Sequence, residues 1–288
     1  MNAKSKRIGT LVAKGIMIAV FSAFFVVPLW LVIMASFTDT VTFVRNGYSF
    51  WPKQFSLETY KFVFSNPLIL RGLLNSAIIT VMVTVLSVVV NTAAAYALHE
   101  KNMPGHKVLN LLFVFTMFFS TGMVPIVLVI RMLGLYNTFW VLVIPPVINV
   151  YNILLIRNYL YSLPASLREA PMIDGANQVQ IFVQIIVPVS TPIIATTALM
   201  AFVLKWNSYM DVLYYIDYQN NKQLWTAQFA IQEMIKNFKA FTNEQTTLLD
   251  QRVVRSATII VTILPLMLLY PLLQKYFANG MTLGAVKG

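Results

Sequence analysis

Unbroken apolar runs of about 20 residues or more recur along this chain, and each is long enough to cross a hydrocarbon layer of about 30 Å at about 1.5 Å per residue. Six such runs can be drawn, roughly from Ala13 to Phe37, Gly72 to Leu98, Val108 to Ile130, Thr138 to Tyr159, Val189 to Val212 and Ser256 to Phe277. They read as helices, because barrel strands show segments of about 10 residues with alternating polarity. The composition agrees: 58% of residues are hydrophobic and only 11% charged, against about 25% charged in a soluble domain. The sequence therefore predicts an all-α polytopic membrane protein with six transmembrane helices.

The formal charge of +11 raises the question of nucleic acid. The basic residues are scattered over loops and ends without forming one amphipathic face, so that class is set aside. The start, MNAKSKR followed by Ala13 to Phe37, has the look of a signal peptide, but the run is too long and no small-residue cleavage pattern closes it. Residues 1–12 are read as a cytoplasmic tail on an uncleaved first span. Lys4, Lys6, Arg7 and Lys14 assign that end to the cytoplasm, and six spans bring both termini there. Lys and Arg divide about evenly over the two faces, and Arg71, Arg252 and Arg255 stand outside against the rule, so orientation rests on the first helix. Residues 13–288 then form one six-helix membrane domain with a cytoplasmic insert at 160–188 and an outer loop at 213–255.

With no cysteine there is neither a disulfide framework nor a thiolate metal site. No phosphate-binding glycine loop, HExxH, GxSxG or carboxylate–histidine cluster is present. His99 and His106 share one short turn and read as solvated loop residues. Nothing supplies covalent or acid–base chemistry, so the chain is not expected to be an enzyme or to hold a cofactor or metal of its own. Pro28, Gly122 with Pro125, Pro145 with Pro146, Pro192 and Pro265 mark kinks within spans. In the outer loop, Trp225, Phe229, Ile231, Ile235 and Phe238 recur at loosely helical spacing. That pattern fits a helix that either caps the bundle or docks a partner.

The cytoplasmic insert holds SLREAPMIDGANQVQIFVQIIVP, residues 166–188, which is compact and turn-rich between two apolar runs. Pro164 suits the first position of a helix, and Pro171 is expected to end that helix early. Asp174-Gly175 supplies a turn, and Asn177 is the N-cap of a second helix. Val179, Phe182, Val183 and Ile186 mark its apolar face, and it stops at Pro188. The product is a rigid bracket along the membrane surface, suited to passing a push from outside the bilayer to the spans.

Glu169-Ala170, Asp174-Gly175-Ala176, Phe182, Ile185, Pro188 and Pro192 resemble the EAA coupling motif of binding-protein-dependent ABC importer permeases. Pro171 replaces its usual third residue. The resemblance extends over nearly the whole chain. Asn75-Ser76, AAAYAL at 93–98, LGLYNT at 133–138, SLP at 162–164 and WNSY at 206–209 are similar to the carbohydrate, maltose-permease branch. MVPIVLVIRMLGLYNTFW and YPLLQKYFANGMTLGAVKG resemble permeases of complex oligosaccharides such as aldouronate, rhamnogalacturonan or alginate fragments. The resemblance implies a type I importer permease in a bacterial cell membrane. It would pair with a second homologous permease, rest on two cytosolic ATPase subunits that bind ATP and Mg, and be fed by an extracytoplasmic solute-binding protein. Glu169, Ala170, Asp174, Gly175 and Ala176 would then form the ATPase-coupling site, driving alternating access.

A charged group inside a span is expensive, about 2.5–3.5 kcal/mol for a central Lys, and Lys205 needs a reason. It adjoins Trp206, Asn207 and Tyr209, which offer aromatic faces and amide hydrogen bonds suited to sugar. Asp211, six residues on, falls about 240° round a continuous helix and is not expected to pair with it. Lys205 either faces the translocation path, attracting a carboxylated sugar, or meets another subunit or an aqueous rim. Asn75 is the further path candidate, and Asn91, Asn149 and Asn152 read as interhelical glue. A stand-alone secondary transporter or channel, or an ABC permease for a non-sugar solute, are the alternatives; the former needs an ion site, and no span carries a central carboxylate.

Overall fold

The computed structural model describes residues 3–119, 121–238 and 249–280. The C-terminal tail after Gly280 and the middle of the long outer loop, 239–248, lie outside the described residues. Apart from one isolated bridge, Thr38 with Phe55, the described residues that have regular structure are helical. We number the principal helices α1 (Ala3–Ser36), α2 (Thr40–Asn46), α3 (Glu58–Ser65), α4 (Pro67–His99), α5 (His106–Phe118), α6 (Met123–Met132) and α7 (Val150–Leu160). They continue with α8 (Ser166–Ile173), α9 (Gln178–Val189), α10 (Thr191–Trp206), α11 (Met210–Tyr215), α12 (Ala227–Lys236) and α13 (Gln251–Gly280).

Four segments are long and apolar enough to cross a membrane singly, and six spans result if each of two bent helix pairs counts as one. The departures from six plain helices occur where the chain cannot sustain the helical ladder. The third run is broken between α5 and α6, which meet at 119°, with Gly122 in a left-handed conformation (φ 78°). The fourth begins as two short 3₁₀ turns, Phe139–Leu142 and Pro145–Val147, because Pro145 and Pro146 have no N–H to donate. The fifth starts at Thr191, and α9 enters it through a 79° bend at Ser190. Pro28 and Pro265, by contrast, lie within continuous helices.

The chain divides into two compact units, Met1–Leu70 with Ile231–Leu264, and Arg71–Ala230 with Pro265–Gly288. In the first, Ala35, Phe43 and Val253 form a small core, and the hydroxyls of Ser36 and Tyr60 share a 2.8 Å hydrogen bond. In the second, Ala95 and Leu98 of α4 pack with Ile153, Ile156 and Leu160 of α7 and Ile181 and Ile186 of α9. That core joins the end of the second span to the fourth and to the insert. Asn91 sits in the same interface, its amide donating to Ser87 Oγ (2.7 Å) and its carbonyl accepting the Asn149 N–H (3.2 Å), while Asn149 caps α7 at Asn152. Asn91 thus joins α4 to the start of α7 as interhelical glue, whereas the Asn149 side chain bonds within its own helix.

Candidate functional site

The insert folds as an elbow of two helices. α8 runs from Ser166 to Ile173 straight through Pro171, which corrects the expectation of an early stop. Pro171 forfeits only the bond to the Leu167 carbonyl, and the helix closes with Asp174 N–H on Ala170 O (3.2 Å) and Ala176 N–H on Pro171 O (2.9 Å). Gly175 turns the chain with φ 85°, a conformation that a β-branched residue cannot take without strain, and a Cβ there would meet only open space. Its requirement is conformational. Asn177 then starts α9 with a full capping box, its side chain accepting Gln180 N–H while the Gln180 side chain accepts Asn177 N–H, both at 2.9 Å.

The apolar face of α9 is only in part the one its spacing suggested: Phe182 and Ile186 belong to it, Val179 and Val183 do not. Val179 and Val183 are exposed, whereas Ile181 and Ile186 are buried with Phe182 packed beside them. Residues 182–186 form a π turn, and its wider repeat brings side chains five apart onto one face. A reading at the ordinary helical period slips there.

Contacts absent from the sequence reading hold the elbow to the end of α4. Arg168 forms an ion pair with Glu100, one of its nitrogens lies 3.2 Å from His99 Nδ1, and its guanidinium sits 5.9 Å from the Tyr96 ring centre. Tyr96 donates its hydroxyl to Gln178 Oε1 (2.8 Å) and packs on Phe182 at 4.9 Å. His99 lies 4.7 Å from Tyr161, and a ring nitrogen of His106 bonds Leu98 O at 3.0 Å, so neither histidine is a bystander of the turn. The N–H of Asn102, then Arg168, holds the Glu100 carboxyl below its ordinary range. Both helical arms and the end of α4 enclose a cleft of about 1080 Å³, with Tyr96, Glu100, Arg168, Glu169 and Gln178 among its walls. Neither Arg168 nor Glu100 is singled out by the sequence reading, and the tie between them has no local pattern to betray it.

The elbow also presents solvent-exposed groups, Glu169 of the cleft wall among them. Glu169, Ala170, Asp174 and Gly175 are exposed and Ala176 is half-buried, while Ile173 at the apex is 86% exposed. A rigid, internally braced turn thus offers one carboxylate beside an apolar tip.

Four of the residues proposed for a sugar path, Lys205, Trp206, Asn207 and Tyr209, lie at or just past the end of α10, and Lys205 is enclosed there. Its side chain is 4% exposed and Nζ donates to Asp211 Oδ2 at 2.6 Å, which corrects the expectation that the two stay apart. The helical angle fails because α10 ends: Asn207 caps it with its N–H on Val203 O (3.2 Å), Ser208 N–H turns back to Lys205 O (3.1 Å), and α11 restarts at Met210. Trp206 is buried and stacks with Phe202 at 6.1 Å. Asn207 is exposed and accepts from Gln228 Nε2 (3.3 Å), and Tyr209 is half-buried.

Asn75 spends its amide hydrogens on the carbonyls of Gln223 and Trp225, both at 2.8 Å, and Ser76 Oγ accepts Ala227 N–H at 2.8 Å. Gly72 makes that approach feasible, since a Cβ there would lie 3.2 Å from the Thr226 and Ala227 backbone. Trp225 and Phe229 meet edge to face at 5.1 Å and are buried, as is Ile231, so the loosely helical outer segment turns its aromatic side inward.

Residues 94–283 match the family described as binding-protein-dependent transport system inner membrane component. The chain is 35% identical over 273 residues, 93% of its length and 94% of the relative's, to the polygalacturonan/rhamnogalacturonan transport system permease protein YtcP of Bacillus subtilis (strain 168). It is also 27% identical over 274 residues to the arabinooligosaccharides transport system permease protein AraQ of Halalkalibacterium halodurans, covering 93% of this chain and 94% of that one. Among solved structures, a chain of a bacterial ABC transporter involved in the import of the acidic polysaccharide alginate superposes with a TM-score of 0.87 at 28% identity, covering 96% of this chain and 99% of that one. The elbow falls inside the matched region, and on these grounds the chain belongs to the family of binding-protein-dependent transport system inner membrane components.

Proposed function

We propose that this chain is one membrane subunit of an ATP-driven importer that moves oligosaccharides, uronate-containing ones among them, into the cytoplasm by alternating access. The observation that carries the reading is the braced elbow: Gly175 fixes the turn, Glu169 and Ile173 are exposed to solvent, and Arg168, Tyr96 and the Ile181–Ile186 core bind its inner side to the spans. A stiff connection of this kind passes displacement from a soluble motor to helices, whereas a flexible one dissipates it. Glu169 pairs with a basic side chain of a cytosolic ATPase subunit, and the two ATPases bind the ATP and Mg; this chain needs no cofactor. A second homologous permease completes the path, a solute-binding protein delivers cargo outside, and both termini lie in the cytoplasm.

The cargo class is supported by the names of the relatives, which specify polygalacturonan/rhamnogalacturonan, arabinooligosaccharides and the acidic polysaccharide alginate. Among the path candidates, Asn207 and Tyr209 retain surface for a sugar. Lys205, Trp206 and Asn75 hold the turn and the loop that position them. The test is uptake by the assembled importer in proteoliposomes, with binding protein outside and ATP inside, of neutral and uronate oligosaccharides of equal length. ATP-dependent uptake of at least one is expected; uptake that persists without the ATPase subunits would sink the reading. Lys205→Met is expected to depress neutral and acidic uptake alike, because its partner is Asp211. A loss confined to acidic cargo would restore the lysine to the path.

A further inference from the structure

The segment that follows α1 exposes more large apolar side chains than a water-facing loop can account for. Val41, Val44, Phe50, Trp51 and Phe55 are each more than half exposed, and Trp51 is 70% exposed. The segment is nevertheless well tied. Asp39 caps α2 through Thr42 N–H (3.1 Å), Asp39 N–H bonds Gln54 O (3.0 Å) and Ser56 N–H bonds Phe37 O (2.9 Å). Phe37 and Phe55 stack at 5.4 Å, and Phe43 is buried beneath Tyr48 at 5.1 Å. The aromatic surface is thus a built feature.

Its depth can be read from one hydrogen bond. Trp30 Nε1, on the apolar flank of α1, donates to Phe50 O at 2.9 Å, and the Trp30 and Trp51 rings lie 6.3 Å apart. Trp30 precedes the helix end, Ser36, by six residues, which is about 9 Å at about 1.5 Å per residue. Within the stretch Lys14–Ser36 only Ala35 and Ser36, at its very end, are buried within the chain. A loop folded back to that level beside a membrane span lies at the boundary of headgroups and acyl chains, where Trp and Tyr are enriched and amphipathic elements sink about 5–10 Å. Arg45 and Lys53 are exposed in the same segment, against one acid, Asp39, which is occupied as the α2 cap.

We infer that residues 41–55 form a membrane-interface foot, with Phe50, Trp51 and Phe55 seated among phospholipid acyl ends and Arg45 and Lys53 at phosphate level. The outer leaflet is the one engaged if the termini are cytoplasmic as proposed; the lipid contact itself does not depend on that topology. Its role is to fix the height and tilt of α1, which the chain's own packing holds only at its end, through Ala35 and Ser36.

Because the chain contains no cysteine, a nitroxide can be placed at Trp51→Cys or Phe50→Cys in the complete importer, with cysteine-free partner subunits. In nanodiscs of phosphatidylethanolamine and phosphatidylglycerol, both labels are expected to relax faster with oxygen than with water-soluble nickel chelate, at a depth of about 5–10 Å below the phosphates. A label at Gln54, exposed on the same loop, is the reference. Labels open to nickel would show an aqueous loop and overturn the inference. Labels closed to both reagents would show a protein cover, the second permease or the binding protein, and would overturn it equally. Sugar uptake measured on the same variants keeps this result separate from that of the transport reading.

Discussion

The elbow at 166–189 and the turn at 205–211 both place charge against an apolar framework, and they resolve it in opposite ways. At the turn, Lys205 is enclosed and answered within the chain by Asp211. At the elbow, Arg168 is answered by Glu100 while its neighbour Glu169 is left on the surface beside the exposed tip of Ile173. A charge satisfied internally holds shape; a charge left outward on a braced turn is available to a partner. On the proposed reading, that contrast separates the residues that maintain this protein from those that would connect it to a partner.

The largest expected effect strikes the enclosed pair. Asp211→Ala strands a buried ammonium, and losses of about 3–5 kcal/mol are typical for a broken buried pair. Thermal unfolding in detergent should show it, and the combined Lys205→Met, Asp211→Leu variant should recover most of the loss. If the single variant unfolds like the wild type, the pair is not structural and the comparison fails. Next comes Gly175→Val. Holding a residue with a Cβ at φ 85° costs roughly 1–2 kcal/mol, and more when it is β-branched, so the turn relaxes to another shape. Uptake is expected to collapse while the helix content by circular dichroism stays.

Glu169→Lys sharpens the comparison from the other side. It touches no internal partner and should leave unfolding unchanged, within about 0.5 kcal/mol, yet reduce copurification of the ATPase. The smallest effect belongs to the partly exposed tie. Arg168→Gln should cost about 1 kcal/mol or less, and exchanging the charges as Arg168→Glu with Glu100→Arg should restore part of it. The Glu100 carboxyl is held below its ordinary range, so its contribution is present above the unfolded carboxyl's pKa and is lost as pH falls through the lowered folded value. Unfolding followed from neutral into acid should weaken the wild type in that window, and Glu100→Gln should remove that part of the dependence.

Much of this architecture is legible in one dimension because lipid imposes long unbroken runs and turns impose particular residues. The first, second and sixth spans, the Gly175 turn and the Asn177 cap were readable for those reasons. The breaks were less so. The π turn at 182–186 alters the repeat that a helical reading assumes, and the Pro145-Pro146 stretch looks like a kinked helix although it forms 3₁₀ turns. The pairing of Lys205 with Asp211 was hidden because a helical wheel presumes a helix that continues, and α10 ends one residue after Lys205. The Arg168–Glu100 tie joins residues 68 apart in sequence, and no local pattern encodes such a partner.

The central claim is that the elbow touches the cytosolic motor. Ile173→Cys, in a chain with no other cysteine, can be cross-linked in the assembled importer to single cysteines placed over the membrane-facing surface of the ATPase subunit. A covalent permease–ATPase product, with uptake stopped by the link and regained on reduction, is the predicted result. Absence of that product in an importer that still consumes ATP and accumulates oligosaccharide would contradict the account.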